Sequence, residues 1–229
     1  MEYQPLVQEL ESLGTAQNRK VYARHGVGEN QYGISFGNLR KLQKQIKRDH
    51  GLATQLWASG NHDCRVLATM IADPSQADDG LLERWVNDLD NYVITDAFSA
   101  LASQCALARQ KAETWSGSDD EWTGRAGWLV IAHLAMKDSQ LPNSYFEELL
   151  ETIEGEIHSR KNRVRDAMNN ALIAIGVRNS HLEPLALSAA RRIGKVEVYH
   201  GETGCQTPDA AEYIRKTVER RSRKSNRAS

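Results

Sequence analysis

Apolar side chains recur at intervals of three and four residues along almost the whole chain, and strand-like alternation is nearly absent. This spacing places the apolar side chains on one face of a helix, so the pattern predicts a series of amphipathic helices. Ser35 is suited to cap one of them, because Phe36, Leu39 and Leu42 follow it on a single helical face. The fold class is therefore predicted to be all-α.

Signals for helix ends divide the pattern into about a dozen short helices. We expect Asp73–Pro74, Gly176 and Gly194 each to end a helix. The last helix is expected to begin with Thr207 as its N-cap and Pro208 in its first position. Globular bundles rarely contain so many helices, so the pattern favours a solenoid of stacked helix pairs.

Three segments resemble one another and support a repeat architecture. They begin with Arg65, Arg125 and Arg165, and each continues as a helix face of small and apolar residues. No linker rich in proline or glycine interrupts the chain, so we predict a single domain over residues 1–229 with a basic C-terminal tail from about residue 215.

Charge is distributed unevenly, although the chain as a whole has a formal net charge of −1. Residues from Glu156 onward contain 15 Lys and Arg against 8 Asp and Glu, whereas residues 1–155 contain 14 against 22. This asymmetry indicates contact with a polyanion. The internal basic run consists of Arg160, Lys161, Arg163 and Arg165, which begin an apolar-periodic helix. The basic residues near the C-terminus are equally typical of a solvated helix end.

Several classes of protein are not indicated. No run of 18 apolar residues predicts a membrane-spanning helix, and the N-terminus does not have the pattern of a secretory signal. The cysteines Cys64, Cys105 and Cys205 do not have CxxC spacing, so neither a disulfide framework nor a structural zinc site is expected. Motifs for nucleotide cofactors and metalloproteases are missing. We expect a cytoplasmic, monomeric protein that uses no metal and no small-molecule cofactor.

The stretch from Val196 to Pro208 interrupts the helical pattern. It is polar, contains two glycines and is long for a connection between helices. His200, Thr203 and Cys205 in this stretch allow three interpretations: a structural loop, a contact with a DNA backbone, or an independent site. A Cys–His pair or a part of a metal site would be the chemistry of such an independent site.

Three motifs and the basic run before Asn169 carry a resemblance to a known family. The motifs are Tyr32–Leu42, Trp85–Asp96 and Glu121–Lys137. Over most of residues 20–195, the chain resembles the HEAT-repeat DNA alkylation repair proteins of the AlkD type. The resemblance implies a curved α-solenoid of HEAT-like antiparallel helix pairs, whose basic concave groove holds duplex DNA in a nucleoid-associated protein. Active members of the family are DNA glycosylases that excise N3- and N7-alkylated purines.

The resemblance also implies particular site residues. Tyr92 and Asp96 fill the family's pair of an aromatic and an aspartate, and their four-residue spacing places them on one helical face. Asp96 would stabilise the cationic sugar in the transition state, and Tyr92 would stabilise the cationic base. Arg125, together with the basic run, would hold backbone phosphates, and Asn170 would belong to the same DNA-binding surface.

Two positions differ from the family pattern. Tyr92 stands where the family has tryptophan, and Asn170 stands where the family has a second aromatic. Asp96 is also consistent with a hydrogen-bonding role inside the fold, and Arg125 with a structural ion pair. Two hypotheses therefore stay open: a DNA glycosylase for cationic alkylpurines, or a non-enzymatic scaffold that binds DNA structure or a protein.

Overall fold

The computed structural model describes residues 2–228, with side chains as far as Arg223. Over this range the chain forms thirteen α-helices and a short 3-10 helix, Pro74–Gln76, and it contains no strand. In chain order the α-helices are α1 (Tyr3–Leu13), α2 (Ala16–Arg24), α3 (Phe36–Ile46), α4 (His50–Ala58), α5 (His62–Ile71), α6 (Asp79–Asn87), α7 (Tyr92–Ala102), α8 (Ala108–Ser116), α9 (Glu121–Lys137), α10 (Asn143–Glu156), α11 (Asn162–Gly176), α12 (Leu182–Ile193) and α13 (Ala210–Ala228). The predicted all-α class is confirmed.

Polar side chains cap the N-termini of most of these helices. The predicted cap at Ser35 is confirmed, because its hydroxyl accepts the backbone N–H of Asn38 at 3.3 Å. Carboxylate or amide oxygens do the same for five further helices, through Asp49, Asn61, Asp78, Asn91 and Asp120. Each cap satisfies backbone N–H groups that the helix itself cannot pair.

The predicted start of the last helix was wrong by two residues. Helix α13 begins at Ala210, and the Asp209 carboxylate accepts the backbone N–H of Glu212 at 2.8 Å. Pro208 stays outside the helix, where its carbonyl accepts a hydrogen bond from the Asn169 side chain at 3.1 Å. The basic stretch predicted as a tail from about residue 215 is part of α13, which ends at Ala228.

The helices are grouped into two compact units. The N-terminal unit contains the residues up to Lys111 together with His200–Gly204. The C-terminal unit contains Ala112–Tyr199 and the chain from Cys205 onward. The single domain over residues 1–229 stays a prediction, and each unit is described by itself.

In the N-terminal unit, α5 is central because it packs against α3, α4 and α7. Helix α6 packs on α7, which gives two successive helix pairs, α4 with α5 and α6 with α7. The Trp57 and Trp85 rings stack in the core with centroids 4.1 Å apart and planes 2° from parallel. Burial of large aromatic rings contributes strongly to the stability of such a small core.

In the C-terminal unit, α11 packs along α9 and also contacts α10, α12 and α13. Close packing in this unit depends on two glycines. A Cβ atom at Gly127 of α9 would lie 2.2 Å from the Ser116 nitrogen, and one at Gly176 would lie 2.5 Å from the Ile214 side chain. Trp115 and Trp128 are 2% and 1% exposed and lie in the core of this unit.

The arginines that begin two of the similar segments have a structural explanation. The Arg65 guanidinium contacts the Asp88 carboxylate at 3.3 Å and donates to the Asp88 carbonyl at 3.0 Å. The Arg125 guanidinium donates to the Asp166 carboxylate at 2.7 Å. In both units the arginine therefore fastens its helix to a later part of the chain. None of the described helices combines the length and the hydropathy that a bilayer span requires.

Candidate functional site

A cavity of about 590 Å³ lies in the N-terminal unit, between helices α2, α3, α5 and α7. Its wall contains four aromatic or imidazole side chains, those of Tyr22, His25, Phe36 and Tyr92. Asp96 lines the same cavity and is exposed to solvent. A cavity of this size with aromatic side chains in its wall is typical of a site for a small organic group.

Helix α7 brings Tyr92 and Asp96 to the cavity together. Asn91 begins this helix, because its side-chain oxygen accepts the backbone N–H groups of Val93 and Ile94 at 3.0 and 3.2 Å. Tyr92 then occupies the first helical position and Asp96 lies one turn later, so both side chains project from the same face. The shared face that the sequence predicted is present; the catalytic roles of these residues stay predictions.

Tyr92 is fixed in place by a histidine. Its hydroxyl is hydrogen-bonded to Nδ1 of His25, and the two rings meet edge to face with centroids 5.7 Å apart. His25 follows the last residue of α2, and both side chains are half-buried. The contact therefore fixes the orientation of the Tyr92 ring in the wall of the cavity.

Tyr22 forms another part of the wall and is also held by hydrogen bonding. Its hydroxyl donates to the Ile34 carbonyl at 2.5 Å. Burial, reinforced by the negative charge of Asp63, raises the pKa of Tyr22 to about 12, so its hydroxyl stays protonated. Asp63 is 1% exposed and accepts the backbone N–H groups of Tyr32, Gly33 and Ile34 at 2.7, 3.0 and 2.9 Å. This carboxylate therefore fixes the segment before α3.

Charged side chains of both signs surround the cavity. Arg40 of α3 lines it and is exposed. Arg48 also lines it, and its guanidinium donates to the Ala72 carbonyl at 3.2 Å. With the Asp96 carboxylate, the cavity offers donors for an anionic group and an acceptor for N–H groups.

Arg125 belongs to the C-terminal unit and is 3% exposed. Its guanidinium donates to the Asp166 carboxylate at 2.7 Å and to the Arg163 carbonyl at 3.0 Å. This is the structural ion pair that the sequence left open as an alternative. Because the guanidinium is already bonded inside the unit, its contact with a DNA phosphate stays a prediction without support from this geometry.

The basic run does not form one uniform surface. The Arg160 guanidinium donates to the carbonyls of Ser116 and Ser118, both at 2.8 Å, and thereby caps the end of α8. Lys161 is exposed, whereas Arg163 and Arg165 are half-buried. Arg160 therefore has a structural role, and Lys161 is the member of the run that is most accessible to a polyanion.

Asn170 is half-buried on α11, where the resemblance predicts an aromatic. Its neighbour Asn169 is 1% exposed and donates to the Pro208 carbonyl at 3.1 Å. This contact ties α11 to the start of α13. An amide at residue 170 offers hydrogen bonds but no aromatic face, so the second aromatic of the family site is not supplied there.

The predicted non-helical stretch is confirmed for residues 194–209. Asn162 anchors it, donating to the Tyr199 carbonyl at 2.8 Å and accepting the Tyr199 N–H at 2.7 Å. Tyr199 itself is 74% exposed. In the N-terminal unit, the Thr203 hydroxyl donates to the His200 carbonyl at 2.9 Å.

A chemical role for this stretch stays a prediction. Cys205 is exposed, but no group of three or more metal-ligating side chains occurs in the described part of the chain. Cys64 and Cys105 are buried, which raises the pKa of each thiol to about 11. These two cysteines are therefore protonated and unreactive at neutral pH.

Several residues that complete the cavity around Tyr92 and Asp96 were not predicted from the sequence. Phe36, Arg40 and Gln43 lie four and three residues apart on α3 and share one face. Their spacing was visible in the sequence, but Phe36 was assigned to the apolar face of α3 together with Leu39. No sequence pattern indicated His25 as a site residue, because its contact with Tyr92 joins residues 67 positions apart.

The chain from residue 6 to residue 214 matches the family described as DNA alkylation repair enzyme. The chain belongs to this family. The resemblance to it, which the sequence indicated through three motifs and the basic run before Asn169, is thereby confirmed. Two relatives in the same size range are uncharacterized proteins of Listeria, and the sequence likeness to both extends over nearly the whole chain.

These relatives are Lmo0209 of Listeria monocytogenes, 30% identical over 224 residues, and Lin0241 of Listeria innocua, 29% identical over 224 residues. Each alignment covers 93% of this chain and 95% of the relative. A solved structure is similar with a TM-score of 0.88 and 30% identity, covering 96% of this chain and 95% of the other. It is described as a new family of proteins related to the HEAT-like repeat DNA glycosylases with affinity for branched DNA structures. The chain therefore has the HEAT-like repeat solenoid fold that the sequence predicted.

Proposed function

We propose that this member of the DNA alkylation repair family binds DNA, and that it binds branched DNA more tightly than linear duplex. The observation that carries the proposal is the likeness, at 30% identity over 96% of the chain, to a structure described as having affinity for branched DNA. Family membership over residues 6–214 supports a nucleic-acid role independently. A cytoplasmic, nucleoid-associated monomer remains part of this proposal.

The distribution of charge supports it. Helix α13 carries Arg215 and Arg220 on its exposed side, and Lys161 is exposed at the start of α11. Ion pairs within α13 occupy two of its other cations, since Lys216 contacts Glu212 and Arg223 contacts Glu219. Arginine and lysine that contact phosphates release counterions, which gives binding a strong dependence on salt.

Binding to three-way and four-way junctions, compared with a linear duplex of the same sequence, tests this proposal. Fluorescence anisotropy at fixed salt should show the junctions bound at least about tenfold more tightly, a difference of about 1.4 kcal/mol. Equal affinity for junction and duplex would show that the protein has no preference for branched DNA. If neither DNA is bound at low salt, the proposed function is wrong.

Excision of cationic N3- or N7-alkylpurines is the second candidate function. The observation that favours it is the presence of Tyr92 and Asp96 in the wall of one cavity. Alkylation at N3 or N7 gives the purine a positive charge, so the base leaves easily and little acid catalysis is needed. The Asp96 carboxylate would stabilise the sugar cation, and the Tyr92 ring would stabilise the cationic base. Asn170, which has no aromatic face, argues for the binding function as the primary one.

Methylated duplex DNA tests this second candidate through chromatography of released 7-methylguanine and 3-methyladenine. If the wild type excises either base, Asp96→Asn should lower the rate at least about 100-fold, because it removes the charge that acts in the transition state. DNA affinity should be retained, and a thermal melt shows whether the variant is folded. Release at near wild-type rates by the variant would exclude Asp96 from the mechanism.

A further inference from the structure

A second cavity, of about 310 Å³, lies in the C-terminal unit beside the C-terminal ends of α9 and α11. Three cationic side chains line it, those of Lys137, Arg178 and Arg221. Ser139 and Asn179 add polar atoms to the wall, and none of the described carboxylate side chains lines it. We propose that this cavity binds a phosphate group with more than one negative charge, as found in a phosphomonoester or in pyrophosphate.

Arg178 is held at the cavity by contacts on both sides of its guanidinium. It donates to the carbonyls of Ala135 and Leu141 at 2.9 and 3.0 Å. The guanidinium also lies 4.6 Å from the centre of the Phe146 ring. These bonds occupy two of its five N–H groups, so a positive charge is fixed in the wall and little side-chain entropy is lost when an anion enters.

Arg221 brings a second guanidinium to the same cavity from α13. It donates to the Val177 carbonyl, and its other terminal nitrogen lies 4.0 Å from Sδ of Met136. Lys137 is the last residue of α9 and is exposed. Its ammonium group makes no hydrogen bond or ion pair with the described residues, so its three N–H groups are available to a ligand.

Capping of helix ends explains only part of this arrangement. A cation near the last carbonyls of a helix is favourable, and Arg178 and Arg221 both bond such carbonyls. Three positive charges around one cavity also repel one another, and an anion between them relieves that repulsion. The neighbouring Asp138 does not line the cavity, and its carboxylate accepts the backbone N–H of Gln140 at 2.8 Å.

The number of charges and the volume define the ligand. A phosphomonoester carries about 1.5 to 2 negative charges at neutral pH and three strong acceptor oxygens, which suit guanidinium and ammonium donors. A phosphodiester of the DNA backbone carries only one charge. A cavity of about 310 Å³ has room for more than one phosphate group or for a phosphate with a small organic part. Two sources offer such a group, a free small compound and the 5′ end of a DNA strand.

Calorimetric titration of the full chain with pyrophosphate, inorganic phosphate and acetate tests the proposal at low ionic strength. Pyrophosphate should bind best, and at least about tenfold more tightly than acetate, which carries a single charge. The absence of saturable pyrophosphate binding, or equal binding of all three anions, would overturn the proposal. Because no DNA is present in this titration, such a failure would leave the proposed function standing.

Two variants and two matched controls locate the anion. Lys137→Gln and Arg221→Gln should each weaken pyrophosphate binding about tenfold, since each removes a charge-assisted hydrogen bond. Arg191→Gln and Lys195→Gln remove exposed charges of the same unit that do not line the cavity, and should change nothing. Thermal melts show whether Arg221→Gln is folded, and Lys137→Gln removes no described bond if it is not. Equal weakening by variants and controls would overturn the site.

A duplex with a 5′-phosphate, compared with the same duplex ending in a 5′-hydroxyl, separates the two sources. Binding of the phosphorylated duplex that is about tenfold tighter in the wild type, but not in Lys137→Gln, would assign the strand end as the source. Equal binding of the two duplexes, with pyrophosphate bound as expected, would assign a free phosphorylated compound. If neither pyrophosphate nor the phosphorylated end is bound preferentially, the proposed site is wrong.

Discussion

Buried charged side chains have consequences at the scale of single residues. Arg125 and Asp166 form an ion pair whose side chains are 3% and 12% exposed. Both charges have been removed from water, so the loss of one partner leaves the other buried without compensation. Arg160 and Glu156 offer a contrasting pair, because the Glu156 side chain is 48% exposed.

Asp166→Asn is expected to lower the free energy of unfolding by about 3–5 kcal/mol, because the Arg125 charge remains buried. Glu156→Gln is the control and should cost less than about 1 kcal/mol, since its charge lies in water. Urea unfolding followed by circular dichroism measures both. If Asp166→Asn lowers the free energy of unfolding by less than about 1 kcal/mol, Arg125 and Asp166 do not form a structural ion pair.

Acid should destabilise the protein through two histidines. Burial lowers the pKa of His62 below 6.5, although Asp63 and Asp90 oppose the shift. Burial and the charge of Lys137 lower the pKa of His133 in the same direction. As the pH falls, the unfolded chain binds protons at these histidines at a higher pH than the folded protein does. The contribution of the two histidines to the free energy of unfolding is therefore constant above about pH 6.5 and decreases as the pH falls through the lowered pKa values.

His62→Gln should make this decline shallower, and the double variant with His133→Gln should make it shallower still. The measurement is the free energy of unfolding in urea between about pH 7.5 and about pH 5.5, compared with wild type. A decline of the same steepness in the double variant would show that other groups cause the acid sensitivity.

How much of the candidate site is predictable from sequence depends on whether its residues share an element. Tyr92 and Asp96 lie four residues apart on α7, so periodicity alone placed them on one face. His25, Tyr22 and Arg40 reach the cavity from α2 and α3, through contacts over long sequence separations. Local periodicity contains no information about such contacts, so these residues were found only in the structure.

At the scale of elements, the helices themselves were largely predictable because their signals are local. Ser35 caps α3, Gly176 ends α11 and Gly194 follows α12, as expected. The start of α13 was misplaced because the Pro208 carbonyl is bonded by Asn169 of α11. That contact is tertiary, and it outweighs the local preference of Thr207 and Pro208 for the start of a helix.

Two glycines on different helices should respond to alanine in opposite directions. Gly127→Ala in α9 places a Cβ atom 2.2 Å from the Ser116 nitrogen, and backbone cannot yield as a side chain can. We expect it to cost at least about 2 kcal/mol, as overpacked cores do. Gly155 in α10 has nothing within 4 Å of its added Cβ, so Gly155→Ala should stabilise by about 0.5–1 kcal/mol.

Chemical denaturation of the two variants checks this pair of expectations. Because alanine is the better helix former in both cases, the difference between them isolates the effect of packing. Equal stabilisation by both changes would mean that α9 does not approach the end of α8 as closely as the structure indicates.

At the scale of the whole molecule, the net charge does not show where the basic residues lie or which of them are exposed. The formal net charge of −1 combines an acidic first part with a basic stretch after Glu156. Arg215 and Arg220 expose their charges on α13, whereas Arg125 and Arg160 use theirs inside the fold. Counting basic residues in the sequence therefore overestimates the number available to DNA, and burial identifies those that remain.

The double variant Arg215→Gln with Arg220→Gln should weaken DNA binding and make it less dependent on salt. Removal of two phosphate contacts lowers the magnitude of the slope of log K against log salt by about 1.8. The matched control, Lys41→Gln with Lys44→Gln, removes two exposed charges from α3 and should leave the slope unchanged. An unchanged slope in the α13 variant would mean that this helix does not contact the DNA backbone.

The proposed preference for branched DNA is tested most directly by competition. A labelled four-way junction bound to the wild-type protein is displaced either by the unlabelled junction or by linear duplex of the same sequence, at about physiological ionic strength. We predict that displacement by linear duplex requires at least about tenfold more nucleotide than displacement by the junction. Equal displacement by the two competitors would contradict the proposal that this protein binds branched DNA preferentially.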